Sequence, residues 1–181
     1  MSVITFKSYL TPNIVDSWDK QISFLTPRVG GILSKGVDES IRKCETRAII
    51  PSQNLKLYID VSSNILPVID ATMDVFKCNI YRTLEIQHAI YSIGDFYRPH
   101  TDISSPMIEE QRNSQRKISM VVMMSDPADY NGGELIVNGK QIPNEKGTIV
   151  LFSPVLRHEV KKVTSGVRKT LVIWALGPHF K

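Results

Sequence analysis

The second half of the chain is a succession of short apolar runs, and this pattern constrains the fold more than any other feature of the sequence. The runs are rich in Val, Ile, Tyr, Phe and Thr, and turn-forming Gly, Asn, Asp, Pro and Ser separate them. Asn138-Gly139 predicts a two-residue hairpin. Seven short strands with no helix between them predict an antiparallel sandwich or barrel. The predicted strands lie within residues 80–94, 117–125, 133–139, 140–144, 147–154, 157–163 and 168–177.

The first half of the chain contains two helical patterns. The spacing of its apolar residues predicts helices within 11–23 and 62–79. Thr11 is expected to cap the first helix, with Pro12 at its first position. Pro67 is expected early in the second helix. The Gly- and Arg-containing stretch between the two helices is assigned to no element.

These patterns together predict one structural domain that is mostly β with flanking helices. Residues 1–78 are expected to form a helical or mixed support region packed on the sheet, and residues 79–181 to form the core. A hydrophobic fraction of 42% and a charged fraction of 22% exclude a disordered or collagen-like chain. The net charge of +4 is scattered along the sequence, so no nucleic-acid partner is expected.

The sequence also bears on the compartment. No apolar run approaches the length of a membrane span, and the first residues lack the pattern of a secretory signal. The two cysteines, Cys44 and Cys78, cannot form a disulfide framework. A reducing cytoplasm is therefore the expected location, without a membrane partner. The sequence leaves the oligomeric state open.

The pair His100 and Asp102 carries the strongest chemical signal. In extended backbone, side chains two residues apart point to the same face, so one imidazole and one carboxylate converge. His158 follows between two predicted strands and supplies a third donor. Two His and one carboxylate leave three open positions on an octahedral metal and suit non-haem Fe(II). Taken alone, the His-x-Asp pair is a weak signal and is more often a hydrogen-bonded surface pair.

Arg168 lies ten residues after His158, behind a glycine-containing turn at the start of a strand. A guanidinium there can bind a carboxylate with two parallel hydrogen bonds. A metal at one end and this arginine at the other would match the length of 2-oxoglutarate. Lys169 is the rival cation, but its side chain is expected to point to the opposite face of the strand.

Five motifs occur in order through residues 91–168, followed by Leu171 and Trp174. They are Y-x-x-G-x-x-Y-x-x-H-x-D (91–102), R-x-x-S (116–119), Y-x-G-G-E-L (130–135), G-x-x-V-x-F (147–152) and H-x-V-x-x-V-x-x-G-x-R (158–168). In this order, over roughly half the chain, they resemble the 2-oxoglutarate- and Fe(II)-dependent dioxygenases. The resemblance is to the prolyl 4-hydroxylase-like branch, which includes the PKHD-type hydroxylases. It implies a distorted double-stranded β-helix, which is a cupin-like jelly roll.

The resemblance also implies roles for individual residues. His100, Asp102 and His158 would be the iron ligands and the catalytic centre. Arg168 would bind the distal carboxylate of 2-oxoglutarate, and Tyr91 would donate a hydrogen bond to the same group. Tyr91 could equally be a packed strand residue. His88 and His179 are not expected to be ligands.

The cofactors implied by the resemblance are Fe(II), 2-oxoglutarate as co-substrate, O₂, and ascorbate as a reductant. Because Asp102 is retained where related halogenases have a small residue, hydroxylation is expected rather than halogenation. In the DNA-repair branch of the family, a second arginine follows six residues after the one that corresponds to Arg168. This chain has Trp174 at that position. A nucleic-acid substrate is therefore not expected.

The expected substrate is a peptidyl proline in a peptide or protein partner. Two alternatives stay open: a hydroxylase of a free amino acid or small metabolite, and a non-catalytic cupin-like module that only binds a metal or ligand. Tyr97 and Trp174 are candidates for lining the substrate channel, or for core or rim packing. The polar stretch 103–115 is a candidate lid that selects the substrate.

Overall fold

The computed structural model of the protein describes residues 2–31, 37–103 and 114–179. The candidate lid falls almost entirely in 104–113, outside the described residues. The elements, in chain order, are β1 (Val3–Phe6), α1 (Pro12–Ile22), β2 (Arg28–Val29), β3 (Arg42–Lys43), β4 (Glu45–Ile49), α2 (Leu55–Asp70), α3 (Met73–Phe76), β5 (Leu84–Tyr91), β6 (Phe96–His100), β7 (Gln115–Met123), a 3-10 helix (Pro127–Asp129), β8 (Tyr130–Gly132), β9 (Leu135–Val137), β10 (Lys140–Gln141), β11 (Ile149–Phe152), β12 (His158–Val160), β13 (Val163–Gly166) and β14 (Arg168–Gly177).

The strands form two main antiparallel sheets and a short ribbon. The larger sheet has the order β1-β11-β7-β14-β5-β4-β2, and the smaller sheet has the order β10-β9-β12-β6-β3. β13 and β8 form the ribbon. The architecture is mostly β, as the apolar runs predict. The 3-10 helix is the one helical turn within the described part of the second half, where no helix was expected.

Alternation along β14 gives the larger sheet two different faces. Leu171, Ile173 and Ala175 belong to an apolar cluster shared with α1 and α2. Thr170 and Val172 point the other way, into a cavity between the two sheets. Because successive strand side chains alternate, one strand supplies both the core beneath the helices and the wall of the cavity.

The first helix forms where the sequence predicts it, as α1 with Pro12 at its start. Thr11 occupies the N-cap position but its side chain makes no capping hydrogen bond, so that part of the prediction is wrong. Val15, Trp18 and Ile22 are buried on one face. Trp18 Nε1 donates to Asp60 Oδ2 of α2 at 3.0 Å, which joins the two helices.

The second helix starts earlier than the sequence indicated. α2 begins at Leu55, Pro67 lies in its last turns rather than its first, and α3 is a separate short helix. The physical reason is that the apolar stripe extends upstream through Leu57 and Val61, which are buried with Ile65. Burial of this longer face outweighs the missing N–H of one proline near the helix end.

The stretch between the helices, which the sequence left unassigned, forms β2, β3 and β4. β4 pairs with β5 in the larger sheet, and β3 pairs with β6 in the smaller sheet. The first half of the chain therefore contributes strands to both sheets, and not helices alone.

The predicted hairpin at Asn138-Gly139 is confirmed. It joins β9 to β10, and both turn residues have positive φ, 49° and 78°. This is the conformation of a type I′ turn, which asparagine and glycine tolerate best. No helix in the described ranges is long and apolar enough to span a membrane.

Candidate active site

Two histidines and one aspartate converge on the inner side of the smaller sheet. His100 ends β6 and His158 begins β12, and the two residues pair directly across these antiparallel strands. Asp102 Oδ2 lies 3.4 Å from His158 Nε2, and Asp102 Oδ1 lies 3.7 Å from His100 Nε2. One donor atom from each residue lies within 4.8 Å of the others. The three side chains can therefore share a single ion.

Backbone carbonyls fix the tautomer of both imidazoles. His100 Nδ1 lies 2.8 Å from the Arg98 carbonyl, and His158 Nδ1 lies 2.9 Å from the Leu156 carbonyl. A carbonyl only accepts, so each Nδ1 carries the proton and donates it. Each Nε2 faces Asp102. It is the nitrogen without a proton when the imidazole is neutral, so it can then offer its lone pair to a metal.

Asp102 is buried and held from two directions. The Ser119 hydroxyl donates to Asp102 Oδ2 at 2.6 Å, and the Asp102 N–H donates to the Pro154 carbonyl at 2.9 Å. Burial alone would raise the pKa of this carboxyl, but the hydrogen bond with His158 and the nearby positive groups hold the pKa well below its usual range. The carboxylate is therefore ionised and fixed in orientation.

Aromatic rings position the two imidazoles. The Tyr97 ring stacks on His100 with centroids 3.4 Å apart, and Phe152 meets His158 edge-on at 4.8 Å. Burial, together with the neighbouring His158, lowers the pKa of His100 to about 4, so this imidazole is neutral at pH 7. Burial also opposes protonation of His158, but its hydrogen bond with Asp102 prevails and raises its pKa.

Arg168 lies at the other end of the site, at the start of β14, and pairs with Tyr91 at the end of β5. Its Cζ is 5.4 Å from the Tyr91 ring centroid, and its side chain is almost fully buried. Its Nη1 has no hydrogen-bond partner among the described residues, and its Nη2 lies 3.9 Å from Met123 Sδ. Burial lowers the pKa of Arg168, and the phenols of Tyr91 and Tyr130 oppose this only in part.

A buried guanidinium that lacks a counter-charge and has a free N–H is stabilised when a carboxylate binds to it. Lys169 points away from the site, as predicted, and its Nζ pairs with Asp19 Oδ2 at 2.7 Å. His88 lies on that same outer side, with its Nε2 3.6 Å from Asp19 Oδ1. Neither His88 nor His179 joins the three-residue cluster, which is the one such cluster within the ranges that the structure describes.

A cavity of about 520 Å³ connects these groups. His100, Asp102 and His158 line it together with Tyr91 and Arg168. Tyr97 and Trp174 also line it. Trp174 lies under the guanidinium of Arg116, whose Cζ is 3.5 Å from the ring centroid. The cavity therefore places a metal-binding donor set and a buried arginine around one shared space.

Sequence reasoning missed two residues of this site. Ser119 belongs to the R-x-x-S motif, but its contact with Asp102 depends on how β7 is placed and leaves no local signal. Arg42, on β3, lines the cavity from a stretch that the sequence left unassigned. No periodic pattern could have found it, since β3 is only two residues long.

The donor set suits Fe(II), because two imidazoles and one carboxylate leave open coordination positions. The family model of the 2OG-Fe(II) oxygenase superfamily matches residues 86–176. A PKHD-type hydroxylase of Psychrobacter sp. (strain PRwf-1) is 32% identical over 89 residues, which are 46% of this chain and 34% of that protein. One from Prochlorococcus marinus is 28% identical over 124 residues, which are 66% of this chain and 54% of the relative. The chain thus spans about a third to a half of these relatives.

Solved structures resemble the whole fold. A Pseudomonas putida prolyl-4-hydroxylase superposes with a TM-score of 0.73 at 20% identity, over 96% of this chain and 91% of that one. A viral collagen prolyl hydroxylase from Paramecium Bursaria Chlorella virus-1, solved with 2OG, gives 0.72 at 17% identity, over 98% and 97%. These likenesses confirm the predicted jelly roll. Since the family model covers half of the sequence and includes all three converging side chains, the chain belongs to the 2OG-Fe(II) oxygenase superfamily.

Proposed function

We propose that this protein is a 2-oxoglutarate- and Fe(II)-dependent dioxygenase that hydroxylates an aliphatic C–H bond of a peptidyl proline. One observation carries the proposal. A two-histidine, one-carboxylate donor set and a buried arginine with an unpaired N–H face the same cavity. The first suits Fe(II), and the second suits the far carboxylate of a dicarboxylic co-substrate.

The residues present fit both groups. His100, Asp102 and His158 would hold the iron, and Arg168 with Tyr91 would hold the distal carboxylate of 2-oxoglutarate. When bound, the two groups supply the oxidation of an aliphatic C–H bond by O₂. The protein's own contribution is orientation: carbonyls fix the imidazole tautomers, and Ser119 fixes the carboxylate.

The prolyl substrate rests on analogy. The Pseudomonas putida neighbour is a prolyl-4-hydroxylase. A Trichoplax adhaerens prolyl hydroxylase, solved with a hypoxia inducible factor peptide fragment, has a TM-score of 0.73 at 16% identity, over 96% of this chain and 82% of that one. Tyr97 and Trp174 line the cavity. We propose that these two side chains contact the substrate.

The test has two stages. Anaerobic addition of Fe(II) and then 2-oxoglutarate is expected to produce the weak visible charge-transfer band of the metal chelate. In air, succinate release is then measured across proline-containing peptides and free amino acids, and the product is expected to gain one oxygen by mass. Turnover of free amino acids alone would favour the metabolite hydroxylase. A band without turnover would favour the non-catalytic module, and no band would contradict the site itself.

Gly133→Ala is expected to weaken 2-oxoglutarate binding through Arg168. Gly133 has φ +65°, and an added Cβ would lie 2.7 Å from Arg168 Cδ and 3.0 Å from Val163 Cγ2. The guanidinium must then shift away from its present position. We expect a measurable rise in the 2-oxoglutarate dissociation constant, together with destabilisation of about 1–2 kcal/mol from the left-handed backbone.

Gly139→Ala is the matched control. Gly139 also has a positive φ, +78°, but nothing lies within 4 Å of an added Cβ. This variant therefore reports the backbone strain alone and is expected to bind 2-oxoglutarate normally. Equal 2-oxoglutarate affinity in the two variants, measured by calorimetry, would contradict the role given to Gly133.

A further inference from the structure

Arg42 is a second buried cation in the wall of the cavity, and it stands close to the proposed iron site. It comes from β3, outside the residues that the family model matches. Its side chain is 6% exposed, and its Cζ lies 4.8 Å from the centroid of the Tyr97 ring. The imidazole of His100 stacks on that same ring. A group held by Arg42 would therefore lie beside the space where a substrate must approach the metal.

The hydrogen bonds of Arg42 do not neutralise its charge. Nε donates to Cys44 Sγ at 3.2 Å, Nη1 to the Gly31 carbonyl at 2.9 Å, and Nη2 to Gln87 Oε1 at 2.8 Å. All three acceptors are uncharged at pH 7, and they use three of five N–H donors. These bonds hold the guanidinium rigidly, as a preformed binding site requires, and leave donors for an anion.

The charge of each of the other arginines in the cavity wall is balanced by an acidic partner, by solvent or by a proposed ligand. Arg116 is paired with Glu85, with Nη2 and Oε2 2.8 Å apart. Arg28 is exposed to water, and Arg168 is proposed to bind 2-oxoglutarate. Among the described residues that line the cavity, Asp102 is the one acid, and it is taken up by the histidines and Ser119. Arg42 is thus left as a desolvated cation without a counter-charge, which is costly until an anion binds.

From this we infer that Arg42 binds a carboxylate of the substrate, so that the enzyme prefers a substrate with a negative charge close to the hydroxylated carbon. The inference rests on the proposed function, since it concerns the same cavity, and it narrows the substrate class. For the proposed peptidyl proline, the carboxylate belongs to an acidic residue beside it. For the alternative substrate, a free amino acid, it is the carboxylate of the amino acid itself. Both present the same planar group to the guanidinium.

The experiment compares ligands that differ only in charge. The protein is loaded anaerobically with Fe(II) and 2-oxoglutarate, and loading is verified by the visible band. Calorimetry then measures binding of L-proline against L-prolinamide, and of a peptide with Asp beside an internal proline against its Asn counterpart. The first pair tests a free amino acid, and the second tests an acidic peptide.

In at least one pair, the acid is expected to bind about tenfold or more tightly than its neutral partner. Arg42→Gln is expected to remove that preference and leave binding of the neutral ligand unchanged. Lys43→Gln is the matched control, because it removes the same charge from the neighbouring position, which is exposed and pairs with Asp95. That variant is expected to keep the preference.

Several results would overturn the inference. One is equal affinity for the acid and its neutral partner in both pairs, and another is no binding of either acid. A third is an equal loss of affinity for both members of a pair in Arg42→Gln, which would indicate a purely structural role. If Arg42→Gln does not fold, Arg42→Lys replaces it. Lysine keeps the charge without the planar fork, so the acid should bind with intermediate affinity, and unchanged affinity would contradict the inference. If the visible band does not form on addition of Fe(II) and 2-oxoglutarate, that result contradicts the proposed function and not the inference about Arg42.

Discussion

His158→Ala is expected to lower Fe(II) affinity more than about 100-fold and to abolish turnover. Loss of a residue that merely orients a metal ligand costs about 10–100-fold in affinity, so loss of a ligand should exceed that range. His158 supplies one of three donor atoms, and its Nδ1 is already committed to the Leu156 carbonyl. In the variant, Asp102 and His100 would be the two remaining protein donors, which should bind the ion much more weakly. Anaerobic titration with Fe(II), followed by calorimetry, measures the effect.

His179→Ala controls for the removal of an imidazole as such. His179 is exposed and lies outside the metal-binding cluster, so its loss should leave Fe(II) affinity unchanged. Thermal unfolding of the two variants without metal separates loss of binding from loss of fold. If folded His158→Ala bound Fe(II) as tightly as the unaltered protein, the assignment of the ligands would be wrong.

Arg168→Met is expected to weaken 2-oxoglutarate binding by about 30-fold to several thousand-fold. Removing one partner of a buried, hydrogen-bonded charge pair costs roughly 2–5 kcal/mol. The variant should not weaken the ligand-free fold, because the guanidinium there is a buried charge with an unpaired Nη1. Methionine fills similar volume without that charge. Unfolding of the ligand-free variant is therefore expected at the same temperature or higher, while 2-oxoglutarate affinity falls.

Lys169→Gln is the matched control for Arg168→Met. It removes the adjacent charge from the same strand, but Lys169 points to the other side of the larger sheet, where it pairs with Asp19. Its 2-oxoglutarate affinity should not change. A stability loss in Arg168→Met with intact 2-oxoglutarate binding would show that Arg168 serves the fold and not the co-substrate.

The parts of the site that the sequence predicted depend on local geometry. His100 and Asp102 share a face because side chains two apart in extended backbone do so, and no tertiary information is needed. The same rule separates Arg168 from Lys169, and the structure bears it out. His158 required more, because nothing local relates it to His100. Its place between two predicted strands, together with the order of the motifs, indicates it as the third donor.

The parts that the sequence missed depend on register and on short elements. Ser119 contacts Asp102 only because the strand register of β7 turns it inward, opposite Trp174 on β14. Arg42 belongs to a two-residue strand, which is too short to show alternation. The sequence places the start of α2 too late because a proline is typical of the first turn of a helix, whereas Pro67 lies near the end. Tertiary burial of Leu57 and Val61 decided that boundary.

The pairing of β1 with β11 has a consequence for folding kinetics. It joins Val3–Phe6 to Ile149–Phe152, so its ends are separated by most of the chain. Such distant contacts form slowly, because closing a long loop costs entropy before any contact compensates for it. Phe152 lies in this late-forming pair and its ring packs on His158. We therefore expect a nascent chain to acquire tight iron affinity only after β11 has been synthesised and has paired with β1.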